Sequence, residues 1–170
     1  MSMLASYALV AALVQPEPFA VLELESPITH LEVAPRVDLL AVAEECGSLH
    51  LLRAQTLQER RKIDLAGPVL DLAISHDGNW IAVQDAPGTV TIWNIAAKKP
   101  IREIRHEEGA FAFFAKTSEL VLADTGGTVR RIDAASGRLG ESHTFEDARG
   151  IEAVEISRDG RVVAYALDDG

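Results

Sequence analysis

The sequence predicts an all-β protein assembled from repeating four-stranded antiparallel units, and three observations carry that prediction. An apolar segment recurs at a constant interval, starting at Ile28, Val69, Ala110 and Ile151, with three equal steps of 41 residues. Turn residues recur at fixed offsets behind each segment. No long stretch has the three-to-four-residue apolar spacing of an amphipathic helix.

Each unit unfolds in the same order. The first segment (28–33, 69–74, 110–115, 151–156) is followed by a turn at 35–38, 76–79, 116–119 and 158–161. Asp77-Gly78 and Asp159-Gly160 supply the positive φ of a tight hairpin in two of these turns. A second apolar segment comes next, at 39–43, 80–83, 120–123 and 162–167, and a second turn ends in Gly47, Gly88, Gly127 and Gly170. The third segment alternates, as in Thr89-Val90-Thr91-Ile92-Trp93. A fourth, more polar segment (57–65, 100–105, 138–145) suits an outer edge, where charge discourages unwanted pairing.

These residues resemble the WD-repeat family. Ser75-His76-Asp77-Gly78 is similar to the family's Ser-Pro-Asp-Gly turn, and Gly88-Thr89-Val90-Thr91-Ile92-Trp93-Asn94 to its Gly-Thr-Val-x-x-Trp-Asp strand. The third unit keeps Gly127-Thr128-Val129-Arg130-Arg131-Ile132-Asp133 with Ile in the Trp place, and the first has drifted to Leu52-Arg53. The resemblance covers about residues 19–170 and implies a β-propeller of four-stranded antiparallel blades, incomplete in this chain. Blades are expected at about 28–67, 68–109, 110–150 and, unfinished, 151–170. The family's inter-blade Gly-His pair survives only as His106, expected to be structural or solvated because Ile132 replaces the tryptophan of its hydrogen-bond network. Residues 19–23 read as an outer strand of the kind that closes the ring in this family.

Three units are complete, the fourth reaches the glycine before its third strand, and a ring needs about four to eight blades. The remaining blades are therefore expected in the same, longer chain. Two copies do not close a ring by simple addition, because each offers one spare outer strand and lacks two. Ahead of the propeller, residues 1–14 read either as a signal-peptide h-region or as a disordered tail. The apolar run at 3–14 has cleavage-site-like Val10-Ala11-Ala12, yet no Lys or Arg precedes Arg36. The run is too short to span a bilayer as a helix, and the compartment stays open between cytoplasmic and exported.

The net charge of −10 excludes general binding to nucleic acid, which needs a basic surface. The single cysteine, Cys46, allows neither an internal disulfide nor a multi-cysteine metal site. No phosphate-cradling glycine loop and no Gly-x-Ser-x-Gly nucleophile occurs. Asp133-Ala134-Ala135-Ser136-Gly137-Arg138 also resembles a stretch of quinone-cofactor propellers, but ordinary WD repeats share it. No catalytic, cofactor-binding or metal residue is assigned.

Chemistry on the loops is more informative. In the implied fold, second turns and inter-blade loops share one face, which would be acidic: Glu44, Glu45, Asp85, Glu107, Glu108, Asp124, Asp168 and Asp169, together with Asp64, Glu146 and Asp147 and with Arg149 as the main opposing charge. The reading is a non-catalytic protein-interaction scaffold whose acidic loop face meets a protein partner with a basic surface. The alternative is part of a propeller enzyme, dehydrogenase-like with a quinone or lactonase-like. That needs polar ligands converging on the central channel, whereas the inward first strands read as largely apolar or small. Trp80 is expected to pack between blades.

Overall fold

The structure is a computed structural model that describes residues 7–11, 20–34, 36–86, 88–97, 99–106, 109–114, 117–145, 150–157 and 161–167. Within them the chain forms three four-stranded antiparallel sheets and two two-stranded ones, with no helix long and apolar enough to cross a membrane. The first blade is β3 (Ile28–Val33), β4 (Leu40–Glu44), β5 (Ser48–Leu52) and β6 (Glu59–Asp64), paired in that order. The second is β7 (Asp71–Ile74), β8 (Trp80–Ala86), β9 (Thr89–Asn94) and β10 (Arg102–Arg105). The third is β11 (Gly109–Phe113), β12 (Glu119–Asp124), β13 (Thr128–Asp133) and β14 (Leu139–Thr144). A hairpin of β15 (Ile151–Ile156) and β16 (Val163–Leu167) follows them, and a hairpin of β1 (Tyr7–Ala11) and β2 (Ala20–Leu24) precedes them.

The strand segments fall where the repeat placed them. Burial peaks in the middle strands of a blade, because these are covered on both faces and the fourth strand is not. All five residues of β4 are buried, whereas all six of β14 are exposed. The turns are made by the residues that marked them. Ser75 Oγ donates to Asp77 Oδ1 at 2.7 Å, and Asp77 accepts from the Asn79 backbone N–H at 3.0 Å, which holds the first hairpin of blade two closed. At the second turn Gly47, Gly88 and Gly127 have φ of 87°, 82° and 80°, a region other residues seldom enter. A side chain at Gly47 would also strike the backbone oxygen of Gly67 at 2.9 Å, so the turn and the next inter-blade loop need glycine to touch.

Alternation decides what each blade packs against. Ala41, Ala43, Leu49 and Leu51 of blade one meet Leu72, Ile74, Ile81 and Val83 of blade two. The opposite parity of blade two, Ala73, Ala82, Val90 and Ile92, meets Phe111, Leu120 and Leu122 of blade three, with Trp80 packed against the same cluster. Ala110, Phe114, Val121 and Ala123 then meet Ile151 and Val154 of β15. On the other side Leu24 of β2 seals Leu40, Val42 and Leu52, with Leu22 against them.

Two expectations need correction. Tyr7–Ala11 lie in the segment read as leader or loose tail; the loose-tail reading is corrected for these residues, since they form strand β1, paired with β2 from Tyr7↔Leu24 to Ala11↔Ala20. The first strands are also less apolar than they read: Glu32, Asp71 and Glu155 line a central cleft of about 440 Å³ together with Ala73, Ala110 and Ala153. Burial, then the neighbouring Glu155 and Asp71, pushes the Glu32 carboxyl up from its ordinary value.

Shortening a side chain at a blade interface removes packing that nothing else supplies. Ile81→Ala is expected to cost about 2–5 kcal/mol of unfolding free energy in urea. Val162→Ala, at an exposed position, is expected to stay within ~0.5 kcal/mol.

Candidate partner-binding face

The second turns and the inter-blade loops lie together, tied by hydrogen bonds at every blade junction described. The Glu45 N–H donates to the Pro27 carbonyl at 2.8 Å, that of His106 to Gly88 at 3.0 Å, and that of Gly150 to Thr125 at 3.0 Å. The Ala66 N–H donates to Asp85 Oδ2 at 3.0 Å. This face carries exposed Glu45 and Asp64 and half-buried Asp85 and Asp124. Glu107, Glu108, Glu146, Asp147, Arg149, Asp168 and Asp169 lie outside the described residues.

Glu44 stands at the same turn but is buried, so it is not among the exposed acids. It is 1% exposed and points inward. Its Oε1 accepts from the Ser26 N–H at 2.8 Å, and its Oε2 stands 2.8 Å from His50 Nε2. The other ring nitrogen, His50 Nδ1, is 2.6 Å from Glu59 Oε2. Burial alone would raise the Glu44 carboxyl, but the hydrogen bonds from His50, Ser26 and Cys46 and the charge on His50 outweigh it and hold it below the usual range. A buried carboxylate is stable only when paired and bonded in this way.

Glu44, Asp85 and Asp124 share one repeat position, three residues before the turn glycine. Glu44 and Asp85 each clamp the preceding inter-blade loop, while Asp124 Oδ1 accepts from the Thr128 N–H at 2.9 Å inside its own turn. Glu44 and Asp85 thus hold blade junctions. The recurrence was visible in the sequence as a signal for the clamp, but His50 and Glu59 were not, since they fall at positions the repeat does not share.

The histidine kept from the family's inter-blade pair is structural. His106 is fully buried, meets Phe111 edge to face at 6.3 Å between ring centroids, and has no hydrogen bond to either ring nitrogen among the described residues. Trp93 Nε1 likewise has no partner among them. Burial, helped by the nearby Arg130 cation and opposed by Asp124, pushes the imidazole down to about 4.

The quinone-like phrase also has a structural account. Asp133 accepts from Ser118 Oγ at 2.6 Å, Ser136 Oγ at 2.6 Å and the Ser136 N–H at 2.7 Å, which closes the hairpin between β13 and β14. These bonds lower its carboxyl to about 2. Cys46 is exposed, with Sγ 3.4 Å from Ser48 Oγ. Among the described residues no set of three His, Cys, Asp or Glu side chains is arranged to hold a metal ion.

The His106 pKa has a consequence for stability. The unfolded chain takes up this proton near 6.5 and the folded one near 4, so between those values the unfolded state binds more protons. The neutral ring's contribution is complete above pH 6.5 and is lost as pH falls towards 4. His106→Leu is expected to flatten the wild-type decline in urea stability between pH 6.5 and 4.5; parallel profiles would contradict the assignment.

Comparison with known proteins agrees with the geometry. Residues 31–119, just over half of the chain, match the family model for the WD40 domain of anaphase-promoting complex subunit 4. WD repeat-containing protein 1 of Rattus norvegicus is 39% identical over 67 residues, 38% of this chain and 11% of the relative. Its counterpart in Xenopus tropicalis is 40% identical over 60 residues, 34% of this chain and 10% of the relative. This chain thus spans about a tenth of the length of the curated relatives it matches. Among solved structures, the RRP9 WD40 repeats superpose with a TM-score of 0.65 at 18% identity, over 86% of this chain and 44% of that one. U3-55K gives the same score and identity over 86% and 45%. With its repeats, sheets and inter-blade packing all in place, this chain belongs to the WD40 repeat family.

Proposed function

We propose that the chain is a non-catalytic protein-interaction scaffold whose acidic loop face attracts and orients a partner with a basic surface. WD40 domains generally mediate protein–protein interactions. The observation that carries the reading is the bonded junction between turns and inter-blade loops. Glu45, Asp64, Asp85 and Asp124 lie in or beside these bonded loops. Glu107, Glu108, Asp168 and Asp169 belong to the same loops by repeat position. Carboxylates of one sign gathered on one face raise the local concentration of a cationic partner and guide its approach.

Charge reversal separates this face from the acidity of the whole chain. Glu45→Lys, Glu107→Lys and Glu108→Lys together are expected to slow association with the purified partner by about tenfold at low salt, with a flatter salt dependence. Reversing exposed Glu23, Glu103 and Glu141 on the outer strands changes net charge equally and is expected to have a much smaller effect. Equal effects from the two sets would contradict a localised face.

A further inference from the structure

The face of blade one that β2 covers is apolar except at one place. Leu40, Val42, Leu52 and Leu57 pack there with Leu24. His50, in register with Val42, and Glu44, two residues beyond Val42 on β4, interrupt that face and are 6% and 1% exposed. A third polar group reaches them through an irregularity in the sheet. The pairing of β5 with β6 jumps from Leu51↔Arg61 to Leu52↔Glu59, so Arg60 is an extra residue. Such a bulge re-aims the side chain beside it. Here it sets Glu59 on the face of Leu52, within reach of His50.

We infer that Glu59, His50 and Glu44 form a latch through which the outer strand β6 holds the inter-blade loop ahead of blade one. Each ring nitrogen of His50 stands at hydrogen-bond distance from a carboxylate, Nδ1 at 2.6 Å from Glu59 Oε2 and Nε2 at 2.8 Å from Glu44 Oε2. A neutral imidazole has one N–H and satisfies one of these oxygens, whereas the imidazolium donates to both. Contacts this short are those of charge-assisted bonds. The other oxygen of Glu44 accepts from the Ser26 N–H at 2.8 Å, and Ser26 Oγ accepts from the Cys46 N–H at 3.2 Å. The bonds thus run from β6 through β5 and β4 to the loop, where the Pro27 carbonyl holds the Glu45 N–H at 2.8 Å.

The latch exceeds what the loop clamp requires. At the next junction Asp85 holds the Ala66 N–H at 3.0 Å in the same way. The residue paired with Val83 there, where Val42 pairs with His50, is Thr91. A carboxylate clamp therefore forms without an imidazole behind it. Nor do ionised groups set into an apolar interface add stability over hydrophobic side chains of like volume. What the three groups add is coupling. A ring bonded at both nitrogens has one orientation, so a displacement of Glu59 passes to Glu44 and on to Ser26. Glu59 is in this sense a positioning residue for the Ser26 loop and the turn at Glu45, whether or not that face meets a basic partner.

Amide exchange at single residues tests the coupling. Glu59→Ala is expected to speed exchange at Ser26, Glu45 and Cys46 by about tenfold, the effect of losing one charged hydrogen bond. The Ala66 amide, held by Asp85, is expected to keep its wild-type rate. Glu44→Ala frees the Ser26 N–H directly, and adding Glu59→Ala to it is expected to change nothing further at Ser26. Glu59→Gln keeps the size of the side chain and removes its charge; it is expected to act in the same direction, and it replaces the alanine variant if that one does not fold. Equal acceleration at Ser26 and Ala66 overturns the inference, because the whole blade has then loosened. Unchanged exchange at Ser26 overturns it, as does an effect of Glu59→Ala that persists in full once Glu44 is gone.

Discussion

A single four-stranded sheet of this size has two apolar faces and can bury neither by itself. Everything else in the molecule depends on how that constraint is met. Each blade lends one parity of its strands to the preceding neighbour and the other to the following one. Ile81 and Val83 face blade one, while Ala82 between them faces blade three. Small residues on one side and larger ones on the other let successive sheets interdigitate. Because the second strand of each complete blade is buried between its neighbours, a loss at one interface is felt by two blades.

The same arrangement explains why the loop face is suited to binding. Blades that pack face to face bring the turn between second and third strands close to the incoming inter-blade loop. The acid three residues before the turn glycine uses that proximity, at Glu44 through Ser26 and at Asp85 through Ala66. Negative charge on this rim is thus partly committed to holding the junctions, and partly free, as at exposed Glu45 and Asp64. The committed acids stiffen the loops, and the free ones face solvent. A rigid rim loses little conformational entropy when a partner binds.

Much of this was legible in the sequence because repetition multiplies weak signals. One apolar hexad is ambiguous between strand and buried helix, but four at equal spacing, each followed by a glycine turn, are not. The strand order, the polar outer strands and the packing role of Trp80 could all be read in that way. What escaped was whatever does not repeat. Glu44 looked solvated because its partner His50 is a polar residue where the other blades carry Thr91 and Arg130. β1 escaped because an uncharged apolar run of its length reads equally as a leader or a loose tail, and its strand character shows only in its pairing with β2. The cleft carboxylates were obscured by alternation: Glu32 and Glu155 share a repeat position, yet each lies in a segment whose average character is apolar.

Native-state hydrogen exchange tests the central claim most directly, since it reports how protection is distributed over the strands. The account predicts that the second-strand amides at 41–43, 81–83 and 121–123 exchange slowest and at a common rate, set by cooperative opening of the packed blades, while those of β14 exchange early. Protection along β14 equal to that of β8, or second strands that open one blade at a time without regard to their neighbours, would contradict it.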